Sequence, residues 1–219
     1  MIPTPAPAGH VVAEAEEDEE FDGRRLRAAR NRDAVVSAVL DIIREQGGEP
    51  IPGAAEVAER AGVSERTVFR HFADLDSLFL AAATHQRPVL TSYLSQRPDA
   101  KELDKRIAAI VRLRARMYEE IGAIRRVAVR LAEAHDSLAR VVREANQAER
   151  EQLADVFAPE LKQAGREKAI VLDQLELVTS WGSWDTLRGE LVGSTDRARK
   201  IMTTMMTTVL APYTRRSRR

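Results

Sequence analysis

Two short runs of helical periodicity with a glycine between them constrain this chain more than any other stretch. They lie within Gly53 to Phe72, GAAEVAERAGVSERTVFRHF. Ala54, Val57, Ala58 and Ala61 recur at helical spacing, and Gly62 follows where a left-handed backbone would end that helix. Ala58 leaves room for a second helix, and Val63 plugs the corner. Ser64 then has the hydroxyl to cap the free amides of a helix running from Glu65 to about Phe72. The punctuation describes two helices joined by a turn too tight for an ordinary loop.

On the second helix Val68 and Phe72 stand one turn apart and face inward, which rotates Arg66, Thr67 and Arg70 toward solvent. A short, rigid, positively charged helix held on a support helix suits a DNA major groove. An arginine fork pairs with guanine O6 and N7, and a threonine methyl meets thymine. Double-stranded DNA is therefore the expected partner. A helical hairpin with a merely solvated charged face is the other reading of the same pattern.

The stretch AGVSERTVFRHFADLDSLF resembles the signature of the TetR family of bacterial one-component transcriptional regulators, with motif-level agreement from about Asn31 to His85. The residues expected at DNA are Gly53, Ser64, Glu65, Arg66, Thr67, Phe69, Arg70 and His71. The free amides near Gly53 suit a phosphate, and the resemblance implies a backbone contact for His71. It also implies a homodimer on a palindromic operator, repression, and a small-molecule effector in the second domain. That effector would move the helix after the motif, change the spacing of the two recognition helices and release DNA. Two positions depart from the family pattern: Phe69 stands where a Tyr is usual and Leu75 where a Lys is usual, which removes a hydroxyl and an ammonium that usually touch phosphate.

Aromatic residues make up 5% of the chain, and no run shows sustained β-branched alternation, so the expected fold is all-α. It comprises an N-terminal three-helix helix-turn-helix domain and a C-terminal helical domain for ligand binding and dimerisation. Formal charge is zero, with 34 basic and 34 acidic residues, which argues against binding DNA by bulk charge. The distribution is uneven. Nearly every residue from Glu14 to Asp22 is acidic, and Arg24, Arg25, Arg27, Arg30 and Arg32 follow at once. Residues 1–23 read as a disordered acidic tail, 24–88 as the DNA-binding domain and 89–219 as the effector and dimerisation domain. Arg24, Arg25 and Arg27 either extend the first helix or form a flexible arm of the kind that enters a minor groove, with plain solvated charge as the alternative.

There is no cysteine, and His10, His71, His85 and His135 are scattered without an HExxH pattern. Glu119 and Glu120 are adjacent and point apart on a helix. No enzymatic activity, metal or cofactor is expected. The opening MIPTPAPAGH lacks the regions of a signal peptide, and no apolar run is long enough for a membrane span. A soluble cytoplasmic protein is expected.

Beyond Pro88, which should kink or end the fourth helix, Lys101 to Gly122 carries one apolar stripe and Ile124 to Leu131 suggests a separate, shorter helix. Glu167 to about Leu191 and Thr195 to about Ala211 read as the last two helices. Their surplus apolar surface marks Leu175, Val178, Gly182, Ile201, Met202, Met205 and Val209 as a dimer interface, with an ordinary monomer core as the alternative. Met117, Tyr118, Phe157, Trp181 and Trp184 are the candidates for an apolar effector pocket, against the alternative of plain core. The function read from the chain is sequence-specific regulation by an effector-released repressor. The alternative is a structural, nucleoid-type helix-turn-helix protein without an effector.

Overall fold

A computed structural model describes residues 10–191 and 193–214, with side chains from 26 onward except 190. The helices are α1 (His10–Glu45), α2 (Ala54–Ala61), α3 (Glu65–His71), α4 (Leu75–His85), α5 (Arg87–Leu94) and α6 (Leu103–Leu131). They continue with α7 (Asp136–Val156), α8 (Ala158–Ala164), α9 (Lys168–Thr179), α10 (Trp181–Thr186) and α11 (Thr195–Leu210). No strand occurs among the described residues. No helix among them is long and apolar enough to cross a membrane.

Two cores form. The first gathers Val35, Val39, Leu40 and Ile43 of α1 with Val57 and Ala58 of α2, Val68 of α3 and Leu78, Phe79 and Ala82 of α4. The second is built from α5 to α11, around Ile107, Met117, Tyr118, Leu153, Phe157, Trp184 and Met206. The long α6 serves both: Ile107 to Ile121 face the second core, whereas Ile124 and Val127 belong to the first. This corrects the expectation of two helices here. Gly122 does not stop α6; it makes room for the Trp181 ring, since a Cβ there would stand 3.0 Å from it.

Two other expectations change. Residues 10–22 belong to α1 rather than to a disordered tail. The compositional argument concerned burial, which a helix propagating from a packed segment does not need: Ala and Glu are strong helix formers and each added residue extends an existing ladder. Met1 to Gly9 lie outside the described residues. The helix expected from Glu167 to Leu191 breaks at Ser180, whose extended backbone (φ −67°, ψ 159°) ends α9 and whose hydroxyl accepts from the Ser183 amide at 3.2 Å to start α10. A π-helical turn, Leu187–Leu191, follows.

The turn between α1 and α2 lies against α6. Gly48, at φ +89°, brings its backbone so close that a Cβ would stand 2.6 Å from the Ala123 carbonyl oxygen. Arg126 of α6 donates to the Gly47 carbonyl and pairs with Asp185 of α10, while Arg130 pairs with Glu49 at 3.0 Å. His135, at the start of α7, reaches Asp76 of α4 at 3.0 Å. At the other end of α4, Gln86 closes the helix and Arg87–Pro88 open α5, so proline sits in a first turn where its missing amide is no loss.

Candidate nucleic-acid interface

Local chemistry sets the angle between α2 and α3. Gly62 adopts φ +66°, its amide bonds to Glu59 at 3.1 Å, and Val63 bonds back to Ala58 at 3.0 Å, closing α2 with a left-handed cap. Ser64 is extended and its hydroxyl oxygen accepts from the Thr67 amide at 3.2 Å. Capping of this kind contributes about 1 kcal/mol. Ser64→Ala should therefore lower the melting temperature by roughly 2–4 °C for a chain of this size. Thermal denaturation checks it; an unchanged midpoint would mean α3 is held by its packing alone.

Val68 is buried and Phe72 closes the helix, so α3 is pinned by one side. Arg66, Phe69 and Arg70 are exposed, and Thr67 is half-buried with its hydroxyl 3.0 Å from that of Ser64. Glu65 is also exposed, in the first turn, where a carboxylate suits the helix dipole. Phe69 is 47% exposed, a large apolar ring left in solvent where an apolar contact with DNA would cover it.

The basic face extends beyond the motif. Arg32 of α1 lays its guanidinium 4.9 Å from the Phe72 ring centroid, next to the C-terminal end of α3. His71 is half-buried, and burial followed by the charges of Arg70 and Arg32 pushes its pKa below the usual histidine range. Its Nε2 is buried and unpartnered among the described residues. Arg32 is the residue that motif reasoning passed over, although it stands in the arginine run preceding Asp33.

Gly53 precedes α2 with φ −86° and ψ 169°, is exposed and offers no side chain, so the first amides of α2 open to solvent. Arg24, Arg25 and Arg27 lie along the backbone of α1; the Arg27 side chain is exposed, and those of Arg24 and Arg25 lie outside the described side chains. Leu75 leads α4, whose start is fixed by a reciprocal cap: Asp74 accepts from the Ser77 amide at 2.7 Å. Arg60 fastens α2 to α1 through both oxygens of Glu45, at 2.9 and 2.7 Å.

The residues expected at an effector pocket divide. Tyr118 meets Trp181 edge-on at 5.5 Å and Trp184 at 6.3 Å, so these three are together, yet Met117, Tyr118, Phe157 and Trp184 are packed core with at most 2% exposure. Trp181 lines a cavity of about 210 Å³ between α6, α7 and α9, whose polar wall includes Arg125, Asn146 and Glu149. Those polar residues were not foreseen. The signal was in the sequence, because Arg114 and Arg125 occupy helical positions in line with Ile107, Ile110, Tyr118 and Ile121.

Of the residues expected at a dimer interface, Leu175, Val178 and Met202 are buried inside the protomer and are corrected to core. Each lies in the core of the second domain, where α9 packs against α7 and α11, and α11 against α6 and α9. Gly182 is exposed, Ile201 and Val209 are half-buried, and Met205 is 46% exposed. Ile170 and Leu177 of α9, 60% and 68% exposed, were overlooked.

Residues 53–82 match the family model for bacterial regulatory proteins of the tetR family. No curated protein matches the chain significantly. Among solved structures, the chain is similar to a transcriptional regulator from Rhodococcus sp. Rha1 (19% identity, 83% of this chain and 96% of that one, TM-score 0.66). It is also similar to a structure described as a TetR-family transcriptional regulator of Mesorhizobium loti (20% identity, 85% and 98%, TM-score 0.59). A third likeness is a tetR-family transcriptional regulator from Streptomyces coelicolor (18% identity, 82% and 81%, TM-score 0.61). An N-terminal helix-turn-helix followed by a helical domain is thus the TetR-type fold.

Proposed function

We propose that this chain, whose residues 53–82 carry the tetR-family DNA-binding signature, is a homodimeric repressor. It grips a palindromic operator with α3 and leaves it when a small molecule enters the second domain. The observation that carries the reading is the outward pair Arg66 and Arg70 on a helix capped by Ser64 and pinned by Val68. Contacts from α6 and α7 to the α1–α2 turn and to α4 support communication, because a shift of either helix would be felt by the support of α3.

The outer faces of α9 and α11 support pairing of two copies. Between Ile201 and Tyr213 there is no charged residue. Thr203, Thr204, Thr207 and Thr208 each donate their hydroxyl to the carbonyl four residues earlier, at 2.8 to 3.0 Å. Their hydroxyls are thereby satisfied, so association would leave none of these donors without an acceptor. With Met205, Ile170 and Leu177 the surface is more apolar than its sequence reads.

Met205→Glu should weaken self-association at least tenfold, because it puts an unpaired carboxylate into that surface. Sedimentation of wild type and variant tests this; a wild-type monomer at micromolar concentration would refute the interface outright. Selection of bound fragments from the source genome tests the reading as a whole. A reproducible palindrome supports it, while uniform coverage would indicate an architectural protein.

A further inference from the structure

The cavity between α6, α7 and α9 is not the apolar pocket that the aromatic residues suggested, because its inner wall holds an unbalanced charge. Glu149, at 5% exposure, stands between Arg114 and Arg125, at 0% and 7%. Its oxygens lie 3.9 Å from Arg114 and 3.7 Å from Arg125, too far for a good hydrogen bond in either case. Tyr118 donates to Glu149, and burial followed by that carboxylate's charge pushes the phenol well above its usual pKa, so it stays a neutral donor. Arg114 bonds otherwise to the Gln152 side-chain oxygen at 2.6 Å and the Glu149 carbonyl at 3.0 Å, and Arg125 to the Asn146 side-chain oxygen, all uncharged acceptors. Two guanidinium groups are thus set against one carboxylate in a buried cluster.

Such an excess is costly unless an anion joins it. Arg125 lines the cavity beside Glu149, and the Nε atoms of Arg114 and Arg125 and the Glu149 Oε1 are all buried without a hydrogen-bond partner. The other carboxylate at the wall, Glu176, is already engaged by Arg150, which also holds Asp173 at 2.7 Å. Val129, Val142, Leu153 and Trp181 supply apolar wall. The volume of about 210 Å³ corresponds to roughly seven waters, enough for a small organic molecule.

We propose that the cavity binds a small carboxylate with an apolar body, its carboxylate paired to the Arg125 guanidinium and its body against Trp181 and Val142. A guanidinium fork matches a carboxylate through two parallel hydrogen bonds. Regulation by this ligand rests on the effector-released reading above, whereas binding itself does not. A second, small cavity lies on the other side of the same arginine and is lined by Ala83 and Gln86, at the junction of α4 and α5. An anion that draws Arg125 toward it therefore acts one layer away from the joint that carries the DNA-binding unit.

Benzoate and hexanoate are the probes, with benzamide and benzylamine as the neutral and cationic counterparts, titrated into the full chain by calorimetry and by tryptophan emission. Benzoate or hexanoate should bind, with at least tenfold weaker binding by benzamide and none by benzylamine. Arg125→Gln should reduce carboxylate affinity at least tenfold. Because that substitution disturbs a buried cluster, Asn146→Asp serves as a second variant. It is exposed, and it places a competing carboxylate beside Arg125. Failure of both carboxylates to bind, equal binding by amide or amine, or carboxylate binding unaffected in both variants would overturn the proposal. Arg125-dependent binding that leaves operator occupancy untouched would keep the site and refute the effector reading instead.

Discussion

Replacing Arg66 or Arg70 by alanine is expected to weaken binding to the selected operator by roughly 5- to 150-fold each, about 1–3 kcal/mol if the fork reads a guanine. The fold should not suffer, because both side chains are exposed while α3 is held by buried Val68, Phe72 and the Ser64 cap. Lysine substitutions separate the two ways an arginine can act. Arg66→Lys keeps the charge and loses the planar fork, so a base-reading arginine loses sequence preference while the salt dependence of binding stays the same. A phosphate-holding arginine would show the opposite: alanine flattens the salt dependence and lysine restores it. Binding measured on operator and scrambled DNA at several salt concentrations resolves the cases. Unchanged affinity in both alanine variants would end the assignment of α3 as the reading helix.

A second large effect is expected at the turn between α1 and α2. Gly48→Ala should lower stability by about 2–4 kcal/mol, combining the left-handed backbone with overlap against the α6 carbonyl. For a chain of this size that is a fall of roughly 5–15 °C in melting temperature. Gly47→Ala is the internal control. Its φ of +67° imposes the backbone strain, but a Cβ there meets nothing within 4 Å. It should cost about 1–2 kcal/mol. If the two variants melt together, the close approach of Gly48 to Ala123 contributes nothing and the turn is not seated on α6 in solution.

The helix-turn-helix was legible because its signals are local. Gly62 for a left-handed cap, Ser64 and Asp74 for N-caps, and Val68 with Phe72 for the buried side act within a few residues of where they stand. The second domain was less legible because its signals are relational. Gly122 read as a stop, yet it exists for a ring 59 positions later in the chain, and only the packed fold shows that α6 serves two cores. Leu175, Val178 and Met202 read as surplus because the stripe that receives them is formed by distant segments. The aromatic residues drew attention to a pocket, while the polar wall lay in arginines whose helical positions matched those of isoleucines.

The threonines of α11 have a consequence for how the molecule responds to its surroundings. With their hydroxyls turned into the helix and no ionised group from Ile201 to Tyr213, pairing through the α11 part of the proposed interface would have few counterions to release. DNA binding does have them, and its affinity falls with a slope of about 0.9 per neutralised phosphate on a logarithmic salt scale. Ionic strength would therefore act more strongly on operator binding than on the proposed pairing. In concentrated electrolyte the pair should persist off DNA, ready to rebind on dilution without reassembly, and a salt titration of operator binding should count phosphates alone.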